Sequence, residues 1–392
     1  MAWNMTEVGE QRVRFVVRAS EAGRNLSELC REFGISRPTG YVWLQRWQQD
    51  KTAGLEEKSR RPQRSPHKTA ETVEQQIVEL RRQRPDWGAR KLRPLLAGQG
   101  VELPVITVHR VLLRHGLVRP EDRHQAAVQR FERAAPNEMW QMDFKSPKGW
   151  QQRVGPLSVI DDHSRYVIRL AQTGSTRSQA VRAQLEQAFE ECGVPQAMLM
   201  DHGVPWWNGA APSGWTELTV WLMGQGIRLH MGRYRHPQTQ GKVERFHGAL
   251  EMARRRRGLP AEQERQAWLE AFRYEYNHVR GHEALGMRTP ASVWRASERR
   301  YDPQPREWDY GVEAEVHRLD EDGQLRLGQR NWPVSEALRR QPVEVKRVGE
   351  STLLVYYCQS LVREIDLAAQ RSTAVDRWAQ PTTCKGCPDN TV

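Results

Sequence analysis

Cysteine is scarce in this chain: five in 392 residues, at Cys30, Cys192, Cys358, Cys384 and Cys387. So thin and scattered a set argues against a disulfide framework and fits a reducing cytosol. Long apolar runs are missing too. No stretch reaches the roughly 18 apolar residues of a membrane-spanning helix, so no membrane contact is expected. The N-terminus lacks a basic segment followed by an apolar one, so no signal peptide is read there. Cys384 and Cys387 form a C-x-x-C, but a zinc site needs about four ligands and no second pair stands near. Residues 379–392 are read as a disordered tail.

Positive charge is plentiful. Lys and Arg number 60 against 48 Asp and Glu, a formal net charge of +12, and the isoelectric point is about 9.7. This suggests a soluble protein with a polyanionic partner. A generally basic surface would give the same balance, so the motifs must decide. The length suggests about two to four domains.

Residues 1–50 read as a helix-turn-helix DNA-binding domain. From Gly9 to Asp50 the pattern is three helices. Leu26, Leu29 and Phe33 share one face, Gly34 ends that helix, and Ser36 caps the next with Pro38 in its first turn. The last helix would enter a major groove with Arg37, Thr39 and Tyr41 near its leading end. An ordinary helical hairpin is the plainer alternative. Residues 51–69, with "SRRPQR", read as a basic extended linker. Residues 70–118 read as a second helical DNA-binding unit of helix-turn-helix or winged-helix type. Val73, Ile77 and Leu80 mark its first helix, and Val108, Leu112 and Leu113 face inward on its third. Residues 119–137 read as a charged connector.

Strands then alternate with helices, as in an α/β sheet. Strands are expected at about Met139–Lys145, twice within "RVGPLSVIDDHSRYVIRLAQ", at "QAMLM" and at "IRLHM". Helices are expected over Gly174–Gly193, Trp215–Gln225 and Gln240–Arg257. Residues 310–378 turn to β and read as a small β barrel.

Three carboxylates stand out. Asp143 lies in "MWQMDFK", pointing opposite to Met142 and Phe144. Asp201 ends "QAMLM" just before a Gly turn. Glu244 lies in the first turns of a basic helix, off the stripe formed by Val243, Phe246 and Leu250 and on the same flank as His247. Carboxylates from separate elements can hold two Mg²⁺ (or Mn²⁺) ions roughly 3.5–4 Å apart at a phosphodiester. Plainer readings exist for each: a salt-bridged strand Asp, a turn Asp, a solvated helix Glu. Asp161 and Asp162 are rivals for the first carboxylate but fall in a turn, where Asp is usually structural. Glu217 is a weaker rival for the last. Lys242, Arg245, Arg254 and Arg255 are candidate phosphate contacts, with a solvated basic face as the alternative. Trp206 and Trp207 are candidates for stacking on an unpaired base, or for core.

At these residues the chain resembles the DDE transposases of bacterial insertion sequences, within the retroviral integrase superfamily. The resemblance runs through "PNEMWQMDFK", "VIDDHSRYVI", "LMDHGVPWW", "WLMGQGIRLHMGRYRHPQTQGKVERFHG" and "YNHVRGHEALGMRTPASVW", from Pro136 to about Arg300. It implies an RNase H-like integrase catalytic domain over 138–300, with Asp143, Asp201 and Glu244 as catalytic metal ligands. His202 stands where the family commonly has Asn, and would line the site with His247. The interval from Asp201 to Glu244 is longer than the family's, and Asn208–Gly214 is read as the tolerated insertion. The resemblance further implies double-stranded DNA as partner, both terminal inverted repeats and target, and a homodimer or larger assembly to pair two ends. The activity implied is cleavage exposing 3′-OH ends and their transfer to target. A catalytically silent DNA-binding regulator and a metal-dependent nuclease that does not join are the alternatives.

Overall fold

A computed structural model describes residues 8–56, 69–118, 132–209, 213–232 and 241–375. The tail at 379–392, with Cys384 and Cys387, lies outside them. So do most of the linker at 51–69, most of the connector at 119–137, and part of the loop Asn208–Gly214. The chain divides into two units, Met1–Thr69 and Ala70–Val392.

The first unit holds α1 (Val8–Ala19), α2 (Leu26–Glu32) and α3 (Arg37–Asp50). Asn25 caps α2 by accepting the Ser27 amide, and Ser36 caps α3 by accepting the Thr39 amide at 3.3 Å. Gly34 turns the chain between them with φ +66°, a conformation that glycine adopts without strain. Phe15, Val16, Leu29, Cys30 and Leu55 form the core. Gly40 lets α3 approach closely: a Cβ there would stand 2.6 Å from Cys30 Sγ and 3.0 Å from Phe15 Cζ.

The second unit begins with α4 (Glu71–Gln83), α5 (Ala89–Gly98) and α6 (Val105–Arg114) around Ile77, Trp87, Leu92, Leu96, Val108 and Leu112. Leu113, expected inside, is 51% exposed, and Val111 is buried in its place. At 100° per residue, Val111 and Leu112 follow Val108 by three and four positions and share its face, whereas Leu113 has rotated away. This helical part is seated on the remainder of the unit through Asp86. Asp86 is buried, with Arg257 Nη2 at 2.6 Å and Arg280 Nη1 at 3.5 Å.

Next comes a five-stranded mixed sheet: β1 (Trp140–Phe144), β2 (Leu157–Asp161), β3 (Val167–Ala171), β4 (Ala197–Met200) and β5 (Arg228–Met231), in the order β3-β2-β1-β4-β5. β1 runs antiparallel to β2 and parallel to β4, and Asp143 stands opposite Ser158. Alternation sorts the side chains. Trp140, Met142, Leu157 and Val159 share a core with α7 (Ser178–Cys192) and α8 (Glu217–Gly224). Ile160, Val167 and Leu170 pack on α9 (Gly241–Arg257) and α10 (Arg265–His278). Gln141 and Asp143 therefore point to the α9 side. The helix α10 is an element the sequence reading did not delimit.

The C-terminal strands are β6 (Val316–Arg318), β7 (Gln324–Leu327), β8 (Arg330–Pro333), β9 (Pro342–Val348), β10 (Thr352–Tyr357), β11 (Ser360–Asp366) and β12 (Arg371–Ala374). They do not close into the expected barrel. Five form an antiparallel sheet ordered β12-β11-β10-β9-β6, and among the described residues β7 pairs with β8 alone. Closure needs the outer strands to meet with matched tilt and stagger, whereas β6 and β12, only three and four residues long, flank opposite edges. This sheet instead buries its apolar face, Val343, Val355 and Ile365 among others, in the core that also contains Trp215, Leu218 and Leu222. Cys30, Cys192 and Cys358 are buried free thiols.

Candidate active site

Asp143 leaves β1 on the α9 face with its side chain 24% exposed. Its carboxyl is pushed up to about 7, chiefly by burial and next by the charge of Asp201, with Glu244 adding to the rise. The Phe144 amide and Lys145 pull the other way. The three carboxylates thus share one electrostatic neighbourhood, although they come from β1, the end of β4 and the start of α9.

Asp201 is exposed just beyond β4. Its Oδ1 accepts the Gly203 amide at 2.9 Å and the Trp206 indole N–H at 2.6 Å. Glycine suits position 203 because a Cβ would lie 2.9 Å from that same oxygen. Trp206 is 1% exposed and stacks on Phe144 at 5.5 Å between ring centroids. It therefore ties the Asp201 turn to the end of the strand that carries Asp143. Such burial removes Trp206 from the role of stacking on a base. The residue that orients Asp201 was visible in "DHGVPWW" only as an aromatic; its partner came from folding. His202 packs edge-on to Trp207 at 5.6 Å.

Glu244 sits in the first turn of α9, exposed at the rim, with partial burial raising its carboxyl. Val243, Phe246 and Leu250 fix the buried face of this helix. One turn on, His247 Nδ1 lies 3.7 Å from Asp143 Oδ2, and Nε2 is 3.0 Å from Ser158 Oγ. Burial, helped by Lys145, pushes its imidazole down to about 3, so His247 is neutral at physiological pH.

The rival carboxylates are elsewhere engaged. Asp161 accepts the Asn137 amide and both the amide and hydroxyl of Ser164. Asp162, fully buried, accepts from Gln141 Nε2 at 2.7 Å and the Arg133 amide at 2.8 Å, with Lys242 Nζ at 2.5 Å. Glu217 pairs with Arg339 at 3.1 Å.

Lys242 thus departs from the sequence reading. Its side chain is 12% exposed and ion-paired inside the protein, and burial lowers its ammonium to about 8 against the pull of Asp162. The arginine run divides similarly. Arg254 and Arg255 both bind Glu251, at 2.7 and 2.8 Å, and Arg257 bridges Asp86 and Glu275. Arg245 and Arg255 are exposed. In the first unit Arg37 and Tyr41 are exposed at the start of α3, while the Thr39 hydroxyl lies 2.8 Å from Ser36 Oγ.

Among the described residues, no three Asp, Glu, His or Cys side chains form a ready-made metal cage. The donor set nevertheless suits a hard divalent cation: carboxylate oxygens only, with a carboxyl whose ionisation two like charges oppose. A cation there would relieve that repulsion.

The chain matches an integrase core domain over residues 133–237 and again over 225–290, which between them contain Asp143, Asp201 and Glu244. It matches a helix-turn-helix domain over 11–63 and a homeodomain-like domain over 39–112. The insertion element IS407 uncharacterized 31.7 kDa protein of Burkholderia multivorans is 25% identical over 228 residues, 56% of this chain and 80% of that protein. Solved structures are more distant. The simian T-cell lymphotropic virus intasome, in complex with a PP2A regulatory subunit, is 16% identical, with 76% of this chain and 98% of that one covered and a TM-score of 0.36. The HTLV-2 integrase catalytic core in complex with magnesium is 17% identical, with 41% and 97% covered and a TM-score of 0.32. Likeness that loose decides nothing. The domain matches put helix-turn-helix domains ahead of an integrase-like α/β core and suggest DNA binding. Together with the insertion-element relative, these matches support an insertion-sequence transposase of the integrase superfamily. Among the described residues no helix is long and apolar enough to cross a membrane.

Proposed function

We propose that this protein cuts double-stranded DNA at the ends of a mobile element and joins the freed 3′-OH ends to target DNA. Asp143, Asp201 and Glu244 are the residues that hold divalent cations, two Mg²⁺ or Mn²⁺ ions. Bound there, such ions supply activation of the attacking oxygen and stabilisation of the leaving one. The chain's own residues do the rest. Gly203 and Trp206 fix one oxygen of Asp201. Neutral His247 holds the wall beside Asp143 without adding charge. Glu244 stands at the exposed rim, where a DNA strand can reach it. In the first step water breaks a P–O3′ bond and leaves a 3′-OH. In the second that hydroxyl attacks a target phosphate and displaces its 3′ oxygen. One phosphodiester forms as one breaks, so no protein nucleophile and no external energy source is required.

Arg37, Thr39 and Tyr41 lead α3 and would meet the terminal inverted repeats, while Arg245 and Arg255 meet phosphates near the site. Two ends must be paired, which calls for a dimer or larger assembly. The observation that carries the reading is the match of an integrase core to the segment bearing Asp143, Asp201 and Glu244, in which burial and the charges of Asp201 and Glu244 raise the Asp143 carboxyl. The test uses purified protein, a labelled duplex carrying the terminal sequence that flanks the gene, plasmid target and Mg²⁺, with Glu244→Gln beside it. Joined product from wild type and none from the variant is expected. Cleavage without joining would replace the reading by a nuclease, and binding without chemistry would replace it by a DNA-binding regulator.

A further inference from the structure

The first turn of α9 is tied to the sheet by polar groups that the proposed chemistry does not itself use. Lys242 Nζ lies 2.5 Å from Asp162 Oδ1. The same oxygen accepts Gln141 Nε2–H at 2.7 Å, and Oδ2 accepts the Arg133 amide at 2.8 Å. Gln141 works in both directions, because its Oε1 accepts the Val243 amide at 3.3 Å. Asp162 is fully buried and Gln141 is 1% exposed. Beyond Glu244, His247 makes a second polar tie to Ser158 on β2. Glu244 therefore stands between two points at which α9 is bound to neighbouring strands and their turn.

Burying an ion pair carries a desolvation cost that well-packed apolar residues would avoid. Val243, Phe246 and Leu250 already anchor the helix by apolar contact. Apolar contact tolerates sliding and rotation, whereas hydrogen bonds and a close ion pair act only in a narrow range of distance and angle. Their net effect here is geometric: they restrict how far α9 can turn about its axis or shift along it.

We propose that Asp162, Gln141 and Lys242 are positioning residues, a buried polar clamp that sets the first turn of α9 and so presents the Glu244 carboxylate to Asp143 and Asp201. This rests on the strand-transfer reading and gives Lys242 a role different from a DNA contact. The two roles diverge at Asp162. Were Lys242 a phosphate ligand, Asp162 would compete with DNA for its ammonium, and Asp162→Asn would tighten DNA binding. In a clamp, loss of either partner harms the same step and leaves DNA binding alone.

The experiment compares wild type, Lys242→Met, Asp162→Asn, the double variant and Glu244→Gln. It measures affinity for the labelled end duplex without metal, the salt dependence of that affinity, Mn²⁺ affinity by calorimetry, and the KM and kcat of joining. Expected is unchanged DNA affinity and salt slope throughout, with weaker Mn²⁺ binding and kcat lower by about 10²-fold at unchanged KM in the three clamp variants, and no joining from Glu244→Gln. The double variant should lose little more than either single one, because the two side chains act as a unit. Weaker DNA binding in Lys242→Met, with a salt slope smaller by about one, would overturn the clamp in favour of a phosphate contact. Wild-type kcat and Mn²⁺ affinity in the variants would overturn it outright. If Lys242→Met fails to fold, the double variant, which leaves no lone buried charge, carries the same readouts. Wild type that neither cuts nor joins would sink the strand-transfer reading instead, and Mn²⁺ affinity would still read the clamp.

Discussion

Without a bound cation, the Asp143 carboxyl keeps its proton up to a pH of about 7, against an ordinary value of 3.8. Between those values the folded protein holds a proton that the unfolded chain has released. Stability from this group is therefore full below about pH 4 and is lost as pH rises through 7, at no more than about 1.4 kcal/mol per unit. Denaturant melts of metal-free protein at pH 5 and pH 8 should show the decline, Asp143→Asn should flatten it, and Mg²⁺ should offset it. An unchanged slope in Asp143→Asn would place its cause elsewhere. Trp206→Phe offers a second residue-level test. It keeps the stacking on Phe144 but removes the N–H that Asp201 accepts. The expected cost is about 1.5–3 kcal/mol of stability, as for a hydrogen bond to a charged group, with a larger proportional fall in joining than in DNA binding. Equal loss of both would make Trp206 a packing residue only.

At the scale of elements, the local pattern of the sequence was a good guide where one face of a helix or strand is buried. The helix expected over Gln240–Arg257 is α9, and "QAMLM" holds β4. Alternation in "MWQMDFK" correctly sent Asp143 away from Met142, since period two follows from the pleat whatever the partner strands are. The misses share one cause. Leu113 is apolar and so reads as inward, yet its angle on α6 turns it outward. Alternation in the last strands suggests a barrel, yet alternation does not state which strand is a neighbour. In the first unit, Gly40 read only as one small residue in a helix, while the close approach of Cys30 and Phe15 makes it a requirement. Gly40→Ala should overpack that contact and lower stability by about 1–3 kcal/mol, measured as an earlier unfolding transition of the N-terminal unit. A rise in stability, as expected for a free helix position, would contradict the close packing.

For the second unit as a whole, a single buried carboxylate joins regions far apart in sequence. Asp86 pairs with Arg257 at the end of α9 and with Arg280 beyond α10, and Trp87 beside it is fully buried. Removing Asp86 leaves buried Arg280 without its carboxylate while Arg257 keeps Glu275, a cost toward the lower end of about 3–5 kcal/mol. Asp86→Ala should therefore loosen α4–α6 from the sheet domain, seen as faster amide exchange in Trp87 and its neighbours and as a lower unfolding midpoint. Exchange that stays unchanged would mean that apolar packing alone seats those helices.

The sequence by itself carried the likeness to integrase cores, singled out three carboxylates as candidates and set the order of helical and mixed regions. These are properties of local pattern: residue types at fixed spacings and periodicities of two or 3.6. Tertiary structure decided which charges are spent inside the protein. Lys242 reads as a surface cation on a basic helix, yet it is taken by Asp162, distant in sequence, just as Asp86 takes Arg257 at the end of the same helix. No local pattern carries that information, because an ion pair depends on where the chain returns. It also decided that Trp206 holds Asp201 and that the C-terminal strands stay open, since both depend on which surfaces meet when the apolar faces are buried.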